Sequence, residues 1–267
     1  MKQMTGLEKT VHIIPLGHEI DRAVNPIREQ LPNRVYILAV IDNPDLDQKM
    51  VARQRYFVTE VKARLDKKIE VITVNTNMFE LQDVIKTISG IILKEKNLGN
   101  RVFVNMSACG RLTSVGAVVA AMGHKVNLYY VMADGYAKTE TEINTHGLSI
   151  CHGTNIKKIV TFDFVRPDPI GMAILVFLYN KGKPMRTVDI FEFLHKQKVE
   201  GYEILFYEFG DEKKRTVQSR QLMKLNKTIL SKLNDLKFIL LEKSGKNIFI
   251  SLTESGRYMA CLSGLLE

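Results

Sequence analysis

The residues with the most chemical potential sit where apolar runs break. Asn105-Met106-Ser107-Ala108-Cys109-Gly110-Arg111 follows a strand-like run and precedes a helix-like one. Small residues at such a junction let backbone amides approach an anion, and the start of the helix adds partial positive charge. Asn105 and Ser107 can donate or accept hydrogen bonds, and Arg111 can clamp a phosphate with two parallel bonds. The same small residues also suit a plain strand-to-helix turn. A second loop, Leu16-Gly17-His18-Glu19-Ile20-Asp21-Arg22, closes the first strand-like run. Cys109 is a weaker candidate for a nucleophile at a helix start, with no His in a fixed relation to it. His12, His18, His146, Cys151 and His152 match no standard metal spacing. No cofactor and no metal is called for.

A second set of residues is basic. Over Thr216–Leu236, a helix places Leu222, Leu225, Ile229, Leu233 and Leu236 in one apolar stripe. Arg220, Lys224, Lys227 and Ser231 fall on the opposite face. A helix buried on one side and basic on the other suits the major groove of double-stranded DNA. An ordinary surface helix is also often rich in lysine. Beyond it, Phe238–Glu242 and Asn247–Leu252 alternate as strands joined by Lys243-Ser244-Gly245-Lys246, a hairpin with a basic tip. Lys243 and Lys246 therefore join the candidate DNA-contacting residues.

The elements that must hold the first set alternate between strand and helix. Val11–Pro15, Val35–Ile41, Ile69–Val74, Arg101–Asn105 and Val126–Met132 read as buried strands. Asp21–Leu31, Gln48–Leu65, Phe79–Lys96 and Leu112–Met122 read as the helices between them. That alternation predicts βαβ units and a parallel sheet, so an α/β domain of Rossmann-like type. Such sheets bind ligands outside the carboxyl ends of their strands, where both loops fall. Thr139–Phe164 is less regular and is expected to add edge strands. Arg166-Pro167-Asp168-Pro169 breaks the pattern and marks a linker, giving domains over 1–165 and 166–267. In the second, Ile170–Tyr179 reads as an apolar helix and Val188–His195 as a short one capped by Thr187. Lys196–Lys214 reads as irregular, and Thr253 as the cap of a last helix.

The chain has 267 residues and a formal net charge of +9, which favours an anionic partner. Through Asp163 it carries 21 basic and 17 acidic residues, leaving 17 basic and 12 acidic in the shorter remainder, which is thus the more densely basic part. Three scattered cysteines indicate neither a disulfide framework nor a zinc finger. With no signal-like start and no apolar run long enough for a bilayer, a cytoplasmic protein with no membrane partner is expected. No Gly-x-Gly-x-x-Gly follows the first strand, and no Gly-x-x-x-x-Gly-Lys-Ser/Thr occurs, so ordinary NAD-type and P-loop chemistry are poorly supported.

Val102-Phe103-Val104-Asn105-Met106-Ser107-Ala108-Cys109-Gly110-Arg111 resembles the second signature of CARF domains, the Rossmann-like sensors attached to CRISPR antiviral defence. Gly17–Arg22 stands in the place of that family's first signature loop. Ala108-Cys109-Gly110 departs from the family's common Thr-Gly-Gly. The ordered set of helices, basic hairpin and Leu252-Thr253-Glu254-Ser255-Gly256-Arg257 resembles winged helix-turn-helix transcription regulators of archaea and bacteria. The resemblance implies a homodimer that binds a cyclic oligoadenylate, with contacts from Gly17, His18, Asn105, Ser107, Gly110 and Arg111. Two alternatives remain: an enzyme that cleaves the cyclic ligand, or a winged-helix module for protein or RNA. Any cleavage is expected to be slow, because only His18 is placed to serve as a base.

Overall fold

Runs of Val, Ile and Leu too continuous for a half-exposed strand must be covered on both sides, and the first domain does this. In the computed structural model its strands are β1 (Thr10–Pro15), β2 (Arg34–Ala39), β3 (Glu70–Asn75), β4 (Arg101–Asn105) and β5 (Asn127–Val131). They pair in parallel, and β8 (Ile156–Ile159) closes the edge antiparallel to β5, giving the order β3-β2-β1-β4-β5-β8. The structure describes residues 7–153, 155–163, 165–202, 219–245 and 247–266. It divides into two compact units, Met1–Phe164 and Val165–Glu267.

Helices α1 (Asp21–Gln30) and α2 (Gln48–Arg64) cover one face of the sheet through a core that includes Ile14, Ile37, Ile27 and Phe57. Helices α3 (Leu81–Asn97) and α4 (Arg111–His124) cover the other, around Ile13, Leu38, Ile88 and Ala117. The small residues of α4 serve this packing. A Cβ on Gly116 would lie 2.7 Å from Val84 Cγ1, so the two helices approach closely only because Gly116 has none.

The region after β5 is more regular than its composition suggested. Besides β8 it holds a small hairpin, β6 (Gly135–Tyr136) with β7 (Ser149–Ile150), around α5 (Glu140–His146). Thr139 starts α5 by accepting a bond from Glu142 N at 3.2 Å, while the Glu142 carboxylate accepts from Thr139 N at 3.0 Å. This reciprocal cap makes a two-turn helix possible in a polar stretch.

The second unit contains α6 (Pro169–Lys181), β9 (Met185–Arg186) and α7 (Thr187–Lys196). Helical residues 219–224 run into a π-helical stretch, Leu225–Leu230, and then α8 (Ser231–Asp235). β10 (Ile239–Ser244), β11 (Asn247–Leu252) and α9 (Glu254–Cys261) complete it, with the sheet order β10-β11-β9. Asp168 caps α6 by accepting from Gly171 N at 2.8 Å, and Thr253 caps α9 through Gly256 N at 3.0 Å. Thr187, expected as a cap, is instead the first residue of α7, and its buried hydroxyl has no partner among the described residues. Arg186 takes the cap position, where Asp189 holds both its amide and its guanidinium. The aromatic and charged stretch within 203–218, and Lys246, lie outside the described residues.

Candidate functional site

Strand order reverses between β1 and β4, and the crevice at their carboxyl ends is where an open α/β sheet receives a ligand. Both loops singled out by sequence meet there. The Gly17 amide donates to the Ala108 carbonyl at 2.7 Å. A Cβ on Gly17 would lie 3.4 Å from the Cys109 Cα, so the two backbones run almost in contact. The Gln54 side chain on α2 donates to the carbonyls of Leu16 and Gly17 at 2.8 and 3.1 Å and fixes the first loop from behind.

Asn105 and Ser107 are buried and bonded inside the fold. Ser107 donates both its amide and its hydroxyl to Asn105 Oδ1, at 2.9 and 2.6 Å. Its oxygen accepts from Val131 N at 3.0 Å, and Asn105 Nδ2 donates to the Arg22 carbonyl at 2.9 Å. Together they lock the end of β4 to β5 and to α1. Gly110 and Arg111, by contrast, are exposed at the start of α4. The Arg111 guanidinium makes no hydrogen bond or ion pair among the described residues. A free cation at a helix N-terminus is equipped for an anionic ligand.

His18 stacks on Phe57, with ring centroids 4.9 Å apart and planes within 21°. Burial, and then the positive charge of Arg53, lower its pKa, which keeps the ring neutral near pH 7. Burial pushes the Cys109 thiol up to about 11, so it keeps its proton and is a poor nucleophile. Glu19 is buried, and its carboxylate accepts from the Ser149 hydroxyl at 2.8 Å and amide at 3.0 Å. Desolvation raises its pKa despite those bonds and the nearby Arg22. No cluster of three His, Cys, Asp or Glu able to hold a metal exists among the described residues.

Sequence reasoning missed Arg22 as a site residue. Its guanidinium lies beneath the crevice, donating to the Ser107 carbonyl at 3.3 Å and to Tyr130 Oη at 3.2 Å, beside Glu19. Arg22 was visible inside the first loop. That its side chain turns toward the second loop follows only from the direction of α1.

In the second unit, Leu225, Ile229 and Leu233 are buried, Leu222 is half-buried and Leu236 is exposed. Leu230, outside the expected stripe, is also buried. The π-helical turn fits one more residue per turn, so Ile229 and Leu230 both reach the core. Arg220, Lys224 and Lys227 are exposed, as is Lys243 on β10. The hairpin pairs Ser244 with Asn247 and turns at Gly245, whose φ is +59°.

These features define a Rossmann-like α/β domain followed by a winged-helix domain. Residues 10–136 match the family described as "HFX_2341_N:-like, N-terminal", and residues 170–264 match the "DUF6293 C-terminal winged helix domain". The chain is similar to the protein MJ1513 of Methanocaldococcus jannaschii, 24% identical over 74% of this chain and 65% of that one. It also overlays on Csm6 of Enterococcus italicus bound to cyclic hexa-2′-fluoro-hexa-dAMP, with a TM-score of 0.44, 12% identity, and coverage of 85% and 56%. Can2 of Sulfobacillus thermosulfidooxidans, in complex with cyclic tetra-adenylate, overlays with a TM-score of 0.37 and 13% identity, covering 94% and 61%. The chain spans less than two thirds of the length of each of these proteins. Among the described residues, no helix is long and apolar enough to cross a membrane.

Proposed function

We propose that the protein is a cytoplasmic, ligand-responsive DNA-binding transcription regulator. Its first domain senses an anionic nucleotide of the cyclic oligoadenylate kind, and its winged helix binds double-stranded DNA. The observation that carries this reading is the meeting of the two loops at 2.7 Å beside an exposed, unpaired Arg111, at the point where strand order reverses. Gly17, His18, Gly110 and Arg111 face the ligand, while Asn105 and Ser107 shape the loop that presents them. Arg220, Lys224, Lys227, Lys243 and Lys246 contact DNA. His18 is stacked and neutral and has no second acid or base assigned to it, so cleavage of the ligand is slow or absent.

The active form is a homodimer. Leu112 and Val115 are 46% and 52% exposed on α4, directly after Arg111. Val119 and Met122, partly buried, continue the same stripe at helical spacing. Pairing α4 across a two-fold axis buries this stripe and sets two Arg111 side chains around one symmetric ligand.

Calorimetric titration with cyclic tetra-adenylate tests the sensor. Arg111→Ala weakens binding by about 1.5–3 kcal/mol, the range for a hydrogen bond to a charged group. Unchanged affinity would place the ligand elsewhere.

A further inference from the structure

A cavity of about 340 Å³ lies at the amino-terminal end of the same sheet, away from the crevice. Its volume is in the range of small-molecule sites. His12, Phe103 and Asn127 stand in one register row across β1, β4 and β5, and paired residues point to the same face. Tyr129, two residues beyond Asn127, is paired with Lys158 on β8. Phe103, Tyr129, Asn127 and Lys158 all line the cavity, together with Gln30 at the end of α1 and Lys125. The partly buried Phe103 and the nearly buried Tyr129 thus lie on its sheet side, with the exposed Lys125 and Lys158 beside them.

Lys125 is held there by the backbone. It ends α4 in the left-handed conformation, with φ of 54°. Its ammonium lies 2.8 Å from the Asp163 carboxylate in a solvent-exposed pair. A buried histidine lies against Phe103 and Tyr129. His12 is fully buried, stacks on Phe103 at 5.0 Å, and shares a bond of 3.0 Å between its Nδ1 and Tyr129 Oη. Its Nε2 has no hydrogen-bond partner among the described residues. Burial lowers its pKa to about 4, so the ring is neutral at pH 7.

We propose that this cavity is a second ligand site, for a planar aromatic anion the size of a mononucleotide. The ring lies over Phe103, and the anionic group takes Lys158 and displaces Asp163 from Lys125. The site is separate from the crevice. Arg111 and Lys125 stand at opposite ends of α4, about 20 Å apart at 1.5 Å per residue. The proposal is independent of the sensor reading.

The test titrates the full chain with adenosine 5′-monophosphate by calorimetry. The nucleotide binds, and adenosine and inorganic phosphate each bind at least tenfold more weakly. Lys158→Glu, an exposed edge-strand change, lowers the affinity at least tenfold, and Lys158→Arg keeps it. Saturating cyclic tetra-adenylate does not displace the nucleotide. The proposal is overturned if the nucleotide fails to bind at millimolar concentration, or if Lys158→Glu leaves binding intact. It is equally overturned if phosphate alone binds as well, or if cyclic tetra-adenylate competes.

Discussion

Ser107→Ala separates a residue that shapes the crevice from one that touches the ligand. The Ser107 hydroxyl makes two buried bonds, donating to Asn105 at 2.6 Å and accepting from Val131 N at 3.0 Å. Removing it loses one net hydrogen bond at Asn105, about 0.5–1.5 kcal/mol, though Asn105 keeps the Ser107 amide. It also strands the buried Val131 N–H, which costs about 1–3 kcal/mol. The sum, about 1.5–4.5 kcal/mol, corresponds to a fall of roughly 3–18 °C in the melting of a domain of this size. Because the second loop loosens, affinity for cyclic tetra-adenylate falls with it. Arg111→Ala, by contrast, weakens binding with no change in melting. Calorimetric melting and ligand titration of both variants check this. If Ser107→Ala abolishes binding while melting shifts by less than about 1 °C, the residue contacts the ligand and the buried-scaffold account is wrong.

Other perturbations have equally definite outcomes. A Cβ on Gly256 would stand 1.9 Å from the Phe238 carbonyl oxygen, so Gly256→Ala destabilises the winged helix by about 1–3 kcal/mol or more in urea unfolding. Reversing Lys224 and Lys227 to Glu abolishes DNA binding in an anisotropy titration while far-ultraviolet circular dichroism stays native. Wild-type affinity falls steeply between low and moderate salt. Glu95 is buried against Arg34 at 2.6 Å and takes bonds from Tyr36 and Asn100. Desolvation works against ionisation there, but those bonds and the charge of Arg34 leave its pKa lowered on balance. Its stabilising contribution is therefore complete above its unfolded pKa of about 4.3 and is lost as pH falls through the lower folded value. Glu95→Gln flattens that acid limb of a stability-against-pH curve.

Much of this arrangement was legible because parallel strands and amphipathic helices leave distinct periods in sequence. β4 falls at Arg101–Asn105 as expected, and α1, α2, α3 and α4 differ from expectation by one or two residues at an end. The two crevice loops were legible because small and polar residues interrupt apolar runs at two strand-to-helix junctions. What escaped depends on distance in the chain. Arg22 reaches Ser107 and Tyr130 across 85 and 108 residues, a pairing no local pattern contains. Burial of Asn105 and Ser107 likewise follows from β5 and α1 closing over them. α5 was missed although Thr139-Glu140-Thr141-Glu142 is a capping box, because its polar residues carry no apolar stripe. Thr187 was misassigned because Arg186 and Asp189 cap α7 through a guanidinium–carboxylate pair, which residue preferences at helix starts do not suggest. The buried Leu230 follows from a π-helical turn, which strict 100° spacing cannot anticipate.

The most direct test of the central claim joins the two domains in one titration. Double-stranded DNA from upstream of the gene is titrated with the full chain, with and without saturating cyclic tetra-adenylate, for wild type and Arg111→Ala. Coupling between two sites is typically about 1–3 kcal/mol, so the ligand should change wild-type DNA affinity by roughly 5–150-fold. Arg111→Ala should bind DNA normally and lose that response. A ligand that binds tightly yet leaves DNA affinity unchanged has no preference between the two states, and that result would contradict the account.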